Sequence, residues 1–232
     1  MTPARHNYAT KDELAVALAE AVAHKLKAGI VTRGQAALAV SGGSTPGKFF
    51  ARLGKTRDIE WDKVLVTLVD ERWVPETSKR SNAALVNEKM LQGPAAIARF
   101  VPLYAGGDEP DAEALTRTAG QLAVLPETFD AVILGMGSDG HTASFFPGGD
   151  NLAAALGGEG PVVSMHAPGA GEARVTLTLP RLLKTEGLYL HIEGEEKATV
   201  LETALGEGPV EDMPIRAVLR QDLTPLTIYW SP

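Results

Sequence analysis

Three observations predict a single-domain α/β protein. Short apolar, strand-like runs alternate with helical segments along most of the chain. Two of those runs, Val64 to Val69 and Phe129 to Leu134, are almost wholly apolar, as fully buried strands are. Turns rich in glycine and small polar residues follow the strands, where open α/β sheets bind their ligands. A length of 232 residues with 44% hydrophobic content suits one large domain over residues 1–232.

The elements follow in order. Residues 11 to 28 carry Leu14, Leu18, Val22 and Leu26 at helical spacing; Thr10 with Glu13 forms a capping box, and Gly29 supplies the stop. Gln35 to Val40 reads as a strand entering Ser41-Gly42-Gly43-Ser44-Thr45-Pro46, with Pro46 opening a helix from Gly47 to Leu53. The strand Val64 to Val69 runs into Asp70-Glu71-Arg72-Trp73-Val74-Pro75. Helices are expected over Arg80 to Leu91 and Pro110 to Val124, separated by the loop Tyr104 to Glu109. After the strand ending at Leu134 comes a glycine turn, then a loose Gly- and Ala-rich stretch from Gly148 to Gly160. Strands are expected over Val162 to Met165, Arg174 to Leu179, Leu188 to Ile192 and Leu226 to Trp230, with a helix from Glu195 to Leu205.

Composition narrows the function. No apolar run reaches the roughly 18 residues of a membrane helix, and the N-terminus lacks a signal-peptide pattern, so a cytoplasmic protein is expected. The absence of cysteine excludes disulfides, thiol catalysis and Cys-ligated zinc. A net charge of −7 argues against nucleic acid or acidic membranes as partners, but not against a small anion held by local Arg and Lys.

The segment Gly135 to Pro147 (GMGSDGHTASFFP) carries the strongest chemical signal. It sets Asp139, His141, Thr142 and Ser144 on a tight turn at the end of a buried strand. A histidine beside a carboxylate is a candidate general base. Gly135-x-Gly137-x-x-Gly140 also matches the dinucleotide-binding fingerprint letter for letter. That motif needs a long following helix and an acidic residue ending the next strand. Pro147 cuts such a helix short and Glu159 falls in a loop, so no NAD or other cofactor is expected.

Ser41 to Pro46 has the small residues and hydroxyls of an anion cradle, although an ordinary capped turn would read the same. It lacks the lysine spacing of a nucleotide-phosphate loop. Asp70-Glu71-Arg72 emerges either as site charges at the sheet's carboxyl edge or as solvated loop charges. Arg174 and Lys197 are candidate phosphate ligands. His166 and His191 lack clustered acidic or hydroxyl partners in the sequence, and no histidine pair has metal-ligand spacing, so no metal is expected. Ser138 and Ser144 are not in a G-x-S-x-G elbow.

Taken together, Ser41 to Pro46, Asp70 to Pro75 with Ser81-Asn82, the Gly135 to Pro147 segment, Arg174-Val-Thr-Leu-Thr and Gly194-Glu-Glu-Lys197-Ala198 resemble the 6-phosphogluconolactonases and their relatives, the glucosamine-6-phosphate deaminases. The resemblance spans most of the chain in the expected order. It implies a mainly parallel, modified Rossmann-like sheet with helices on both faces. It also implies hydrolysis of 6-phospho-D-glucono-1,5-lactone in the oxidative pentose phosphate pathway. Arg72 with the later Trp-Val-Pro favours the lactonase branch; Phe145, where leucine is commoner, is the one departure noticed.

On this reading His141 activates water, Asp139 orients it, and Arg72 stabilises the carbonyl oxygen or holds sugar hydroxyls. Ser41, Gly42, Gly43, Ser44, Thr45, Arg174 and Lys197 hold the 6-phosphate. The partner is a phosphosugar lactone, and the protein is a monomer or a homodimer. Two rivals stay open: an aminosugar-phosphate isomerase or deaminase, revealed by ammonia release, and a phosphosugar sensor that binds without hydrolysing.

Overall fold

The computed structural model describes residues 3–232. Its strands are β1 (Ala4–Asn7), β2 (Ala36–Val40), β3 (Val64–Leu68), β4 (Asp70–Arg72), β5 (Arg99–Val101), β6 (Ala131–Leu134), β7 (Val162–Met165), β8 (Arg174–Leu177), β9 (Leu188–Glu193) and β10 (Leu226–Ser231). Its helices are α1 (Lys11–Arg33), α2 (Gly47–Leu53), α3 (Asn82–Lys89), α4 (Ala112–Leu122), α5 (Leu152–Gly157), α6 (Leu179–Leu183), α7 (Glu195–Leu205) and α8 (Ile215–Arg220).

Seven strands form one wholly parallel sheet in the order β1-β10-β9-β6-β2-β3-β5. Every residue of β2, β3 and β6 is buried, so both faces of the sheet's centre are covered. From β2 the chain winds outward through β3 to β5, then returns to place β6 on the other side of β2. The loops leaving β2 and β6 therefore diverge over a crevice at the sheet's carboxyl edge, the topological switch point.

A second sheet, β4-β8-β7, is antiparallel. It decides between the two readings of Asp70–Arg72 and takes two of the expected strands out of the main sheet. Asp70–Arg72 are not loop charges but a strand whose register partners are Thr176, Val175 and Arg174. The runs that became β7 and β8 also stand outside the main sheet. The reason lies in the backbone: as the chain leaves β3, the Val69 carbonyl accepts from the Leu177 N–H at 2.9 Å, and β8 supplies partners for peptide groups that are otherwise buried.

α1 starts as its capping box predicts: Thr10 accepts from the Glu13 N–H at 3.2 Å, and the Glu13 carboxylate reaches the Ala9 N–H at 3.1 Å. Leu14, Leu18, Val22 and Leu26 are fully buried, and truncating one of them to alanine typically costs about 2–5 kcal/mol. Gly29 does not stop the helix. α1 continues to Arg33 and ends at Gly34, whose φ of 76° is left-handed. Gly29 is instead a close approach, because a methyl there would stand 1.9 Å from Asp130 Oδ1. Asp130 pairs with Arg33 and accepts from the Ala37 N–H at 2.7 Å, tying α1 to the mouths of β2 and β6.

Other boundaries move inward to real caps. α3 begins after Ser81, whose hydroxyl accepts from the Ala84 N–H, and α4 after Asp111, which accepts from the Ala114 N–H. The Gly148 to Gly160 stretch contains α5, and β8 ends at Leu177 because Pro180 sits in the first turn of α6. No helix of the described residues is long and apolar enough to cross a membrane.

Candidate active site

The crevice between β2 and β6 is a cleft of about 250 Å³. Ser41, Gly42, Gly43, Ser44, Thr45, Arg72, His141, Arg174 and Lys197 all line it, drawn from five separate stretches of chain. Asp139 stands behind His141. Nine of the ten residues given a role therefore line one cleft, and the tenth, Asp139, touches it through His141. The lining also includes Asp70, which the sequence offered as a site charge without a role, and Asn82 and His191, to which it gave none.

The histidine turn is built by its glycines. The Gly137 N–H donates to the His141 carbonyl (2.8 Å), the Thr142 hydroxyl to the Gly135 carbonyl (2.7 Å), and Gly140 adopts a φ of 77°. Ala143 holds a φ of 48°, a left-handed strain on the same loop. A methyl on Gly137 would stand 2.1 Å from His141 Nδ1 and 2.5 Å from Asp139 Oδ1, so the missing side chain makes room for the pair. The turn is braced from behind by α8, whose Ile215 N–H donates to the Gly140 carbonyl at 2.8 Å.

His141 Nδ1 lies 2.5 Å from Asp139 Oδ1, and the same oxygen accepts from the His141 backbone N–H at 3.1 Å. A carboxylate can only accept, so Nδ1 carries the hydrogen and Nε2 is the nitrogen left to take a proton. Burial works to raise the Asp139 carboxyl, but the hydrogen bond and charge of the His141 ring, with backbone donors, hold it below the usual carboxylate range. The imidazole stacks on Phe146 at 4.3 Å between centroids, which fixes its plane.

The charges after β3 divide their roles. Asp70 is buried and accepts from the Ser144 hydroxyl at 2.6 Å, with Arg174 Nη1 3.9 Å away. Glu71, also buried, faces away from the cleft: it accepts from Ser81 Oγ and from the N–H groups of Arg72, Asn82 and Ala83 at 2.7–2.9 Å. Burial pushes its carboxyl up, and those four donors oppose the push. Glu71 thereby locks the start of α3 to β4. Asn82 in turn donates to the Asp70 carbonyl (3.0 Å) and sits where a Gly42 methyl would be, 1.9 Å from its Oδ1.

Arg72 is anchored through Nη1 on the Arg80 carbonyl, and Arg174 through Nη2 on the Ala170 carbonyl at 2.8 Å. The Arg174 guanidinium lies over the Phe146 ring at 5.5 Å. In both residues Nε is buried with no hydrogen-bond partner among the described residues. Burial lowers the Arg174 pKa, and the nearby Arg72 charge lowers it further against the pull of Asp70.

The expectation that His166 and His191 lack acidic partners is wrong. His166 lies between Asp150 (3.2 Å) and Glu109 (3.4 Å), brought together only by the fold. His191 Nε2 lies 3.2 Å from Glu193 Oε1. That pairing was readable, since positions two apart on a strand share a face.

The family model of glucosamine-6-phosphate isomerases/6-phosphogluconolactonase matches residues 9–230. A 6-phosphogluconolactonase of Rhizobium meliloti is 49% identical, covering 100% of both chains. One of Mesorhizobium japonicum is 52% identical over 96% of this chain and 92% of its own. The crystal structure of a 6-phosphogluconolactonase from Shewanella baltica superposes with a TM-score of 0.96 at 39% identity, covering 99% of this chain and 98% of that one. The chain belongs to the glucosamine-6-phosphate isomerase/6-phosphogluconolactonase family.

Proposed function

We propose that the protein hydrolyses 6-phospho-D-glucono-1,5-lactone to 6-phospho-D-gluconate, the second step of the oxidative pentose phosphate pathway, with His141 as general base. The observation that carries the chemistry is the Asp139–His141 pair, at 2.5 Å and stacked on Phe146, at the cleft between the two diverging loops. The lactonase relatives supply the substrate class.

Lactone hydrolysis adds water to a carbonyl carbon. His141 Nε2 takes a proton as the water oxygen attacks C1, while Asp139 holds the ring in the competent tautomer and stabilises the imidazolium. The C1 oxygen becomes an oxyanion, and Arg72 is the cation assigned to it. Collapse breaks the bond from C1 to the ring oxygen, and the proton on His141 passes to that oxygen. The water's second proton leaves as the new carboxyl ionises.

The phosphate is assigned to the Ser41–Thr45 turn, Arg174 and Lys197. The partnerless Nε groups of Arg72 and Arg174 support an anionic ligand, because buried donors without acceptors are costly unless something fills them. Asp70 limits that positive charge and, through Ser144, fastens β4 to the histidine loop.

The test generates the lactone in situ with glucose-6-phosphate dehydrogenase and follows 6-phosphogluconate with its own dehydrogenase against the spontaneous rate. Wild type accelerates the reaction, and His141→Asn loses about 10²–10⁴-fold in kcat, the worth of general-base catalysis, with 6-phosphogluconate binding near normal. Acceleration that survives in the variant removes His141 from the mechanism. Ammonia release from glucosamine 6-phosphate, with no effect on the lactone, would move the activity to the deaminase side of the family.

A further inference from the structure

His191 takes no part in the reaction just described, yet it is one of the cleft's lining residues and is only 2% exposed. Its strand explains the burial. β9 lies between β6 and β10 in the interior of the main sheet, and the Phe49 ring of α2 packs edge-on against the imidazole at 6.2 Å between centroids. A polar ring in such a place needs a partner for each nitrogen. Only one nitrogen has one. Nε2–H donates to Glu193 Oε1 (3.2 Å), and Glu193 Oε2 is met by Lys11 Nζ at 3.3 Å. Burial works to raise the Glu193 carboxyl, but the His191 ring and Lys11 hold it below the usual carboxylate range, so the clamp is anionic. Nδ1 makes no hydrogen bond to the described residues, and since it is not one of the buried side-chain atoms left unpaired, it keeps an opening to the cleft that His191 lines.

The surroundings say what Nδ1 faces. Phe49 belongs to the helix that follows the Ser41–Pro46 turn, and Lys197, another lining residue, lies four residues after the end of β9, in the first turn of α7. His191 therefore shares its end of the cleft with the groups assigned to the phosphate. The charged and titratable groups around it are Glu193 on its own strand, Lys11 of α1, Lys197 of α7 and Tyr229, its register partner on β10. His141 and Arg174 line the same cleft.

We propose that His191 is a phosphate-binding residue: clamped through Nε2 by Glu193, it presents Nδ1–H, as the imidazolium, to a phosphate oxygen of the substrate. Since Glu193 already takes the Nε2 hydrogen, Nδ1 bears a second hydrogen only in the charged ring, and a phosphate dianion favours that form. The proposal rests on the phosphosugar reading of the cleft. His191 then contributes specificity for the phosphorylated sugar, and Glu193 and Lys11 position it.

The test is selectivity, the ratio of kcat/KM for 6-phosphogluconolactone to that for unphosphorylated glucono-1,5-lactone. His191→Phe, which keeps a ring against Phe49 but has no donor, is expected to lower the ratio about 10- to 100-fold, the range of one charged hydrogen bond. The loss should fall on KM rather than kcat. His191→Gln restores a donor and should recover part of it. A merely structural role would lower both substrates together and leave the ratio unchanged. Selectivity that survives in both variants overturns the role of His191 alone. A wild type with no preference for the phosphorylated lactone overturns the phosphate subsite itself.

Discussion

Adding one methyl group to Gly137 tests whether the geometry of the histidine pair, rather than its mere presence, sets the rate. Gly137 does not have a left-handed backbone, so alanine is conformationally acceptable there and the methyl is the whole perturbation. It would stand 2.1 Å from His141 Nδ1 and 2.5 Å from Asp139 Oδ1. A carbon needs about 3.4 Å from a ring nitrogen, so the imidazole or the carboxylate must retreat by about 1 Å. The imidazole cannot slide freely, because Phe146 stacks on it and the turn is pinned at Gly140 by Ile215. A misplacement of about 1 Å in a catalytic group costs on the order of 10²-fold, or roughly 2.7 kcal/mol of transition-state stabilisation. The coupled assay should show that loss in kcat, with KM for the phosphorylated lactone little changed, since no phosphate ligand moves. Thermal unfolding by circular dichroism checks that the fold survives. A folded Gly137→Ala enzyme with wild-type kcat would refute the claim that Gly137 exists to seat the pair.

Three further outcomes follow from the same structure. Arg174→Ala should chiefly raise KM; a pure fall in kcat would count against its assignment to the phosphate. Asp139→Asn should lower kcat by presenting the wrong hydrogen-bonding partner to Nδ1, and should also change how stability responds to acid. The folded Asp139 carboxyl sits below its ordinary 3.8, so the native state binds that proton less readily than the unfolded chain. Its contribution is full above about pH 4 and is lost as pH falls through the lowered value. The difference in urea midpoint between wild type and Asp139→Asn should therefore shrink from pH 6 to pH 3, and a constant difference would contradict the pairing. Gly29→Ala forces a methyl into Asp130 and Arg33, and should destabilise by about 1–3 kcal/mol in urea despite alanine's better helix propensity; a more stable variant would show that α1 can move away from β6.

The sequence displayed this architecture where one local signal decided the outcome. β2, β3 and β6 are apolar from end to end because both their faces are covered, and the Thr10 cap had no competing partner. Misreadings arose where the deciding contact is distant. Gly29 reads as a stop until Asp130, about a hundred positions away, is seen beside it, and the strand at Asp70–Arg72 goes unread because its partner is β8. β1 and β5 left no pattern: both are short edge strands, and all of β1 is exposed. α5 and α8 are six residues each, too short for a helical period to show. At the site, the histidine turn was visible because glycines, base and carboxylate are contiguous. Asp70 was legible only as a charge at the sheet's edge, and the acidic partner of His191, two positions along the same strand face, was legible and passed over.

The two loops that make the cleft meet only because β2 and β6 lie side by side, a pairing that joins Val40 to Ile133. Between them the chain must lay down β3, β4 and β5 and three helices before β6 can close against β2. Such a long-range parallel contact carries a large loop-closure cost and is slow to form. During refolding, helical signal from α1 should return well before hydrolysis does, and the recovery of activity marks the moment at which the two halves of the sheet join.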